Sequence, residues 1–546
     1  MSGATARDLV VLVLVAGAFL GAGLGSRDLW NPNEPSYGRV VVEMVESGDW
    51  LVPRLNGEPF FEKPILYFWL AAVASKLMGG VSETSLRVPV LLLNTGSVLL
   101  LYLLVAAYDG RRRALVASAL FATIYGVWFT ARNAQMDSFV LFTTLAVVLA
   151  LVRRLDHGAG GRSSWLLAGL AAGFGFAGKG PVTVIVPGLV LLVYLVVGRR
   201  PWRRLLPGLP LGVLGFLALA LPWYAALYLG GRTDALHELL VRQNVERFVD
   251  AWDHQQAWYY YLKYFWLTFA PWSWLVPIVA LSAWRGAAGG ARDGRRLAWA
   301  WLAAPLVFFS LSESKREPYM LPVAPAVAWL AAWLLDESVA GRLRRWQAVA
   351  GTAVCGLLGA ILLLAGAGAL WPGTIEAPGL ETALLLTGSL LAVAGAAVLV
   401  TIALRRTRRW APAAAWAAYS LFLLFVGVYL HRVANPLKSH RPLAAELERA
   451  QPADSVLFSY FGRYRTVRGG YPYYLGRSIP DLADEERLRA AWAATARPCV
   501  LYEEDKYRDL VEGLPAAELV YESGVGSKAV HLVCRAAPAA RPAAGG

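Results

Sequence analysis

Apolar residues in this chain come in long runs rather than in alternation. Such runs lie at about 8–25, 86–108, 114–131, 138–152, 164–178, 180–198, 206–229, 264–283, 297–311, 319–335, 347–371, 381–404 and 410–430. A helix of about 20 apolar residues spans a hydrocarbon core of ~30 Å. The pattern therefore predicts a polytopic α-helical membrane protein with about thirteen transmembrane helices. A shorter apolar stretch, 65–79, is placed at the membrane interface, as is the amphipathic stretch 36–47. Long loops on the outer side are expected at 26–85 and 230–263.

The runs stop near residue 431. Beyond it a helix is expected at 442–450, a strand at 455–460, a strand at 498–503, a helix near 505–513 and strands near 517–522 and 529–534. The chain thus reads as a transmembrane domain over 1–431, a small soluble α/β domain over 432–535 and an Ala/Pro-rich disordered tail over 536–546. No internal repeat is visible, which argues against a transporter built from inverted halves.

Charge sets the orientation. Only 16% of residues are charged and 57% are hydrophobic, whereas a soluble chain carries roughly 25% charged residues. Arginines cluster in alternate loops: Arg111–Arg113; Arg153, Arg154 and Arg162; Arg199, Arg200, Arg203 and Arg204; Arg285, Arg292, Arg295 and Arg296; Arg342, Arg344 and Arg345; and Arg405, Arg406, Arg408 and Arg409. Basic short loops stay in the cytoplasm. The N-terminus is then cytoplasmic, and an odd number of spans puts the C-terminal domain on the outer side. The net charge of +14 is mostly this topological signal, so nucleic acid is not an expected partner. Arg7 before an apolar core and small residues at 21–26 also resemble a signal peptide, but an uncleaved first span fits the alternation better. Cys499 and Cys534 both fall in the exported domain, where an oxidising compartment permits a disulfide.

The first outer loop holds most of the candidate chemistry. It contains Trp30-Asn31-Pro32-Asn33-Glu34 with Tyr37, then Ser47-Gly48-Asp49-Trp50, Pro53-Arg54-Leu55-Asn56-Gly57 and Phe60-Phe61-Glu62-Lys63-Pro64. Glu34 sits at the outer end of the first span. A carboxylate at a low-dielectric boundary suits general-base work; the structural alternative is a loop carboxylate paired with a neighbouring arginine. Asp137 occupies a similar position beside Arg132, and structural pairing of those two is the alternative to a functional role. Lys63, Lys179, Lys315 and Arg316 stand at outer span ends against the positive-inside bias. Phosphate binding explains such a set; snorkelling to lipid headgroups explains any one of them alone.

These segments, in this order, resemble the membrane-embedded C-type glycosyltransferases that use lipid-linked sugars. The likeness is to bacterial aminoarabinose-to-lipid-A transferases and their protein O-mannosyltransferase relatives. It extends through Met136-Asp137, Lys179-Gly180-Pro181, Pro222-Trp223-Tyr224, Ser314-Lys315 and Tyr319-x-Leu321-Pro322 and covers most of residues 8–335. The resemblance implies a C-type (GT-C) fold and transfer of one sugar from a polyprenyl-phosphate donor to a lipid A, other glycan or protein hydroxyl acceptor on the outer face, with inversion at the anomeric carbon. It implies a carboxylate base, Glu34 or Asp137. It further implies donor contacts from Asn33, Tyr37, Phe61, Glu62, Lys63, Arg132, Lys179, Lys315 and Tyr319. One departure stands out: the family usually shows an Asp-Glu pair where this chain has Asn33-Glu34, and an amide cannot serve as a base. No metal ligand set and no required cofactor emerges, because the six histidines are scattered; a divalent cation held by Glu34, Glu62 and Asp137 is compatible with the sequence. The competing readings are a flippase for lipid-linked sugars and a catalytically inactive, lipid-binding relative.

Overall fold

The computed structural model describes residues 3–536 apart from 31–32, 159–160, 250–253, 283–289, 372–379, 405, 461–468, 483 and 526–527. Pro32, Arg285, Arg405 and the tail from residue 537 lie outside the described residues. The chain forms two compact units. One comprises 1–24, 61–67 and 87–430, the other 25–60, 68–86 and 431–546. This differs from the sequence-based division at residue 431, because most of the first outer loop belongs with the C-terminal residues.

The first unit is a helical bundle. Among the described residues, eight helices are long and apolar enough to cross a membrane: Gly3–Gly21, Glu83–Asp109, Asp137–His157, Trp202–Leu229, Glu317–Val339, Arg345–Leu370, Glu381–Ala403 and Arg408–Val433. The helices Tyr260–Thr268 and Trp272–Ser282 are bent by 108° and make a ninth if they form one span. Several other expected spans are shorter or start with charged residues, such as Arg111–Ala122, Ser163–Lys179, Val182–Val197 and Gly290–Leu311. Close helix contact is achieved with small residues, as lipid supplies no hydrophobic drive for association. A methyl group at Gly169 would collide with the Gly212 carbonyl of the adjacent helix.

The arginine clusters clamp helix ends together. Arg111 bonds both oxygens of Asp8, at 2.5 and 2.7 Å, and Tyr102 adds a hydroxyl donor at 2.6 Å. Arg113 meets Asp109 at 2.9 Å, Asp336 at 3.1 Å and Glu337 at 2.9 Å.

In the second unit, the helix Glu34–Ser47 is not the surface amphipath that its pattern suggests. Residues Glu34–Val41, Glu43 and Met44 are all buried. Arg39 Nε donates to Glu43 at 2.8 Å and its Nη2 donates to Ser478 at 2.9 Å. A hairpin of β1 (Arg54–Leu55) and β2 (Glu58–Pro59) follows. Its turn, Asn56-Gly57, takes positive φ at both residues, 56° and 82°, the geometry that Asn-Gly favours in two-residue hairpins. Glu43 accepts both turn N–H groups, at 2.8 and 3.0 Å.

The C-terminal residues of this unit form a four-stranded sheet of β3 (Val456–Tyr460), β4 (Pro498–Glu503), β5 (Ala517–Val525) and β6 (Lys528–Arg535), in the order β3-β4-β6-β5. β3 and β4 are parallel, and the other pairs are antiparallel. Cys499 and Cys534 face each other across β4 and β6 and form a disulfide. The Tyr-rich run at 471–474 is part of the helix Gly470–Leu475, with Tyr471 fully buried.

Candidate active site

In the first unit, two consecutive antiparallel helices bring Asp137 and Lys179 together. Asp137 is the first residue of Asp137–His157 and Lys179 the last of Ser163–Lys179. An acid in the first turn and a base in the last turn each oppose the local end of the helix dipole. Lys179 Nζ donates to Asp137 Oδ1 at 3.1 Å, and both side chains are mostly buried, at 18% and 11% exposure. Among the described residues nothing bonds Asp137 Oδ2. Gly180 then turns the chain at φ +84°. Its vacant Cβ position lies 4.0 Å from Pro64 and 3.8 Å from the Asn244 side chain. Lys63-Pro64, Lys179-Gly180 and Asn244 are therefore neighbours. Phe61, Glu62 and Lys63 are half-buried, and Lys63 Nζ donates to the Glu62 carbonyl at 3.1 Å.

Lys315 is held differently from the expected phosphate contact. It is buried, and its ammonium donates to the carbonyls of Gln256, at 2.9 Å, and Ser312. Burial lowers its pKa from the usual lysine value. This ammonium zips the connection 312–316 to 254–256, where the Lys315 N–H also donates to His254 at 3.0 Å. Tyr319, half-buried in the short 3₁₀ segment Glu317–Val323, packs on Phe309 with ring centroids 5.9 Å apart.

Arg132 is a correction to the expectation of a phosphate or carboxylate contact. It is buried; Nη1 donates to Leu20 O at 2.9 Å and Nη2 to Gly427 O at 2.8 Å. Its guanidinium also sits 5.1 Å from the Trp128 ring centroid. The last turn of the first helix and the last span each expose a carbonyl that the planar fork satisfies, so the pairing with Asp137 goes to Lys179 instead. Sequence reasoning missed one cation, Arg247. It donates to Ser314, the residue before Lys315, at 3.4 Å and to Gln243 at 3.3 Å. A lone arginine in a long loop gives no pattern; only the π-helical turn Glu238–Glu246 before it marks the place.

In the second unit, Glu34 is 1% exposed. Its Oε2 meets Arg27 Nη2 at 2.8 Å and accepts the Trp30 backbone N–H at 3.1 Å. Arg27 also lies 4.5 Å from the Trp30 ring centroid. This is the arginine-paired loop carboxylate that the sequence allowed as the alternative. Asn33 precedes it as the helix N-cap; its carbonyl accepts from Tyr37 at 3.0 Å, but its side chain makes no cap bond. Among the described residues no protein group bonds that amide, which is half-buried. Tyr37, expected at the substrate, is buried edge-on against Phe60 and Phe68 at 6.5 and 5.8 Å. Among the described residues no three His, Cys, Asp or Glu side chains are grouped to hold a metal ion.

Residues 62–225 match the family described as dolichyl-phosphate-mannose-protein mannosyltransferase. The undecaprenyl phosphate-alpha-4-amino-4-deoxy-L-arabinose arabinosyl transferase of Pectobacterium carotovorum is 28% identical over 449 residues, covering 80% of this chain and 79% of that protein. The enzyme of that name from Pseudomonas aeruginosa is 32% identical over 352 residues, 63% of this chain and 62% of its own length. Among solved structures, ArnT from Cupriavidus metallidurans bound to undecaprenyl phosphate superposes with a TM-score of 0.76 at 22% identity, covering 98% and 99% of the two chains. The chain has the C-type fold. The oligosaccharyltransferase AglB from Archaeoglobus fulgidus shares the C-type fold more distantly, with a TM-score of 0.51 at 12% identity. Within the C-type fold, the matched segment 62–225 contains Lys63, Asp137 and Lys179, the cluster built above.

Proposed function

We propose that the protein transfers a single sugar from a polyprenyl-phosphate carrier to an acceptor hydroxyl or phosphate, in a lipid A, another glycan or a protein, on the outer face of a bacterial inner membrane. The observation that carries this reading is the Asp137–Lys179 pair beside Lys63-Pro64, at the adjoining ends of two helices. The arabinosyl transferases similar to this chain act, by name, on an undecaprenyl-phosphate-linked aminoarabinose, which makes that compound the donor to test first.

Transfer breaks the bond between the anomeric carbon and the carrier phosphate while an acceptor oxygen forms a new one from the opposite face. Lys63 and Lys179 meet the charge that grows on the departing phosphate; preorganised cations in a water-poor site are effective there. Asp137 suits the base better than Glu34, since among the described residues Oδ2 has no protein partner and can take the acceptor proton. The Arg27 pair engages Glu34, so Glu34 serves as the anchor of the loop that presents Asn33. An acceptor that is already an ionised phosphate needs no base. Asp137 would then orient Lys179.

The arginine-rich helix ends support a cytoplasmic N-terminus and thirteen spans, with the C-terminal sheet outside. The Cys499–Cys534 disulfide suits an oxidising, periplasmic compartment. The test is release of undecaprenyl phosphate by the purified full chain, given undecaprenyl-phosphate aminoarabinose and an envelope lipid extract. Release by wild type and its loss in Asp137→Asn is expected. Absence of release across several donor sugars would overturn the enzyme reading in favour of a flippase or an inactive relative.

A further inference from the structure

The second unit contains a staple that the reaction chemistry does not require by itself. Asn435 opens the short helix Asn435–Lys438 just after the last span. Its Oδ1 accepts two hydrogen bonds, from Asp28 N at 3.1 Å and from Trp30 Nε1 at 3.2 Å. Its Nδ2 donates to Ser26 O at 3.4 Å. One amide therefore gathers three residues of the segment that leads into Asn33 and Glu34. The same segment is pinned at two neighbouring points. Leu29 N donates to Tyr474 OH at 2.8 Å, and Trp30 makes a bridge with Ser439. Trp30 in turn passes the constraint on: its N–H reaches Glu34 and its ring lies against Arg27, the ion-pair partner of Glu34.

We propose that Asn435 is a positioning residue for the Asn33–Glu34 turn. The C-terminal segment would act on the reaction by fixing where the Asn33 amide points, a group with no protein partner among the described residues. The inference rests on the transfer reading above and on the assignment of Asn33 to the substrate. An amide is suited to the task, because one oxygen can accept from a backbone N–H and an indole N–H at once while the nitrogen holds a carbonyl. Misplacement of a reacting geometry by about 1 Å, even from a distant change, can lower a rate on the order of 100-fold. Because the donor phosphate is assigned to Lys63 and Lys179 and not to Asn33, the loss should fall on kcat rather than on donor KM.

The experiment compares full-length wild type, Asn435→Ala and Asn435→Asp in detergent. Asp keeps the oxygen that receives both donors. Asn435→Ala is expected to lower kcat about 10- to 100-fold with donor KM within about twofold, and Asn435→Asp to restore most of the rate. Backbone hydrogen exchange over 26–34 should quicken in Asn435→Ala and return in Asn435→Asp. Wild-type kcat in Asn435→Ala, or equal losses in both variants with a raised KM and a lowered melting midpoint, would overturn the inference. Unchanged exchange over 26–34 would overturn it whatever the transfer assay reads. A wild-type protein that releases no undecaprenyl phosphate would instead sink the transfer reading, and the exchange measurement still decides the staple.

Discussion

Lys179 Nζ lies 3.1 Å from Asp137 Oδ1, so the end of one helix and the start of its predecessor carry a matched pair of opposite charges. Both groups sit where a helix dipole favours their sign, and each has one oxygen or a set of N–H donors left for a ligand. A phosphate arriving at Lys179 competes with Asp137 for the same ammonium. Donor binding would thereby loosen Asp137 for its work on the acceptor.

Asp137→Asn should lower kcat by about 100- to 10,000-fold, the range seen when a positioned base is removed. Lys179→Met should lower the rate about 100- to 1,000-fold, as for loss of one transition-state donor. The pair is mostly buried, and removing one partner leaves the other charge uncompensated at a cost of about 3–5 kcal/mol, so the rates of both variants are to be measured on the folded fraction. Glu34→Gln, at the anchor, should cost less activity than Asp137→Asn. The reverse order in undecaprenyl phosphate release would move the base to Glu34.

Arg132 predicts a different split. Its removal leaves the Leu20 and Gly427 carbonyls without their donor, and an unsatisfied buried polar group costs about 1–3 kcal/mol. Arg132→Ala should lower the melting midpoint and the yield of folded protein. Arg132→Lys should fail to rescue, since one ammonium does not reproduce a planar fork spanning two helices. Donor KM measured on the folded fraction should be unchanged. A raised KM with an unchanged midpoint would return Arg132 to the phosphate.

The contrast shows what the residue pattern could and could not carry. Apolar runs marked the membrane helices because hydrocarbon tolerates little else. Alternating strands and the paired cysteines of 456–535 were visible for similar reasons. Charge at helix ends singled out Asp137 and Lys179, which the structure pairs with each other. The same signal singled out Arg132 and Lys315, whose charged groups are bonded to backbone carbonyls. A cation bound by backbone carbonyls looks identical, in sequence, to one awaiting phosphate, because every residue has a carbonyl. The amphipathic stretch 36–47 misled for a related reason: Arg39 and Glu43 satisfy each other and Ser478, a residue more than four hundred positions away. Nothing local announces such a partner, and Asn435 was invisible on the same account.

The Cys499–Cys534 bridge closes a loop of sequence separation 35 in the C-terminal sheet. A cross-link of that span is worth roughly 3–4 kcal/mol through the entropy of the unfolded chain. Reduction, or the double change of both cysteines to serine, should therefore lower the melting transition of the soluble sheet. The helical bundle of the other unit should hold its far-UV helical signal to the wild-type temperature. Loss of both transitions together would show that the two units unfold cooperatively.

His440 supplies a pH dependence that is open to direct measurement. The side chain is fully buried beside the Tyr471 ring, with centroids 5.1 Å apart. Burial pushes its pKa down from 6.5 to about 4. Below 6.5 the unfolded chain takes up a proton that the folded chain refuses, so stability is complete above about pH 6.5 and falls as pH drops towards 4. The loss across that window is about 3 kcal/mol at about 1.36 kcal/mol per pK unit. Melting midpoints of wild type should decline between pH 6.5 and 4.5, and the decline should be shallower in His440→Gln even if that variant starts lower. Parallel slopes in the two proteins would assign the acid sensitivity to another group and remove His440 from the account.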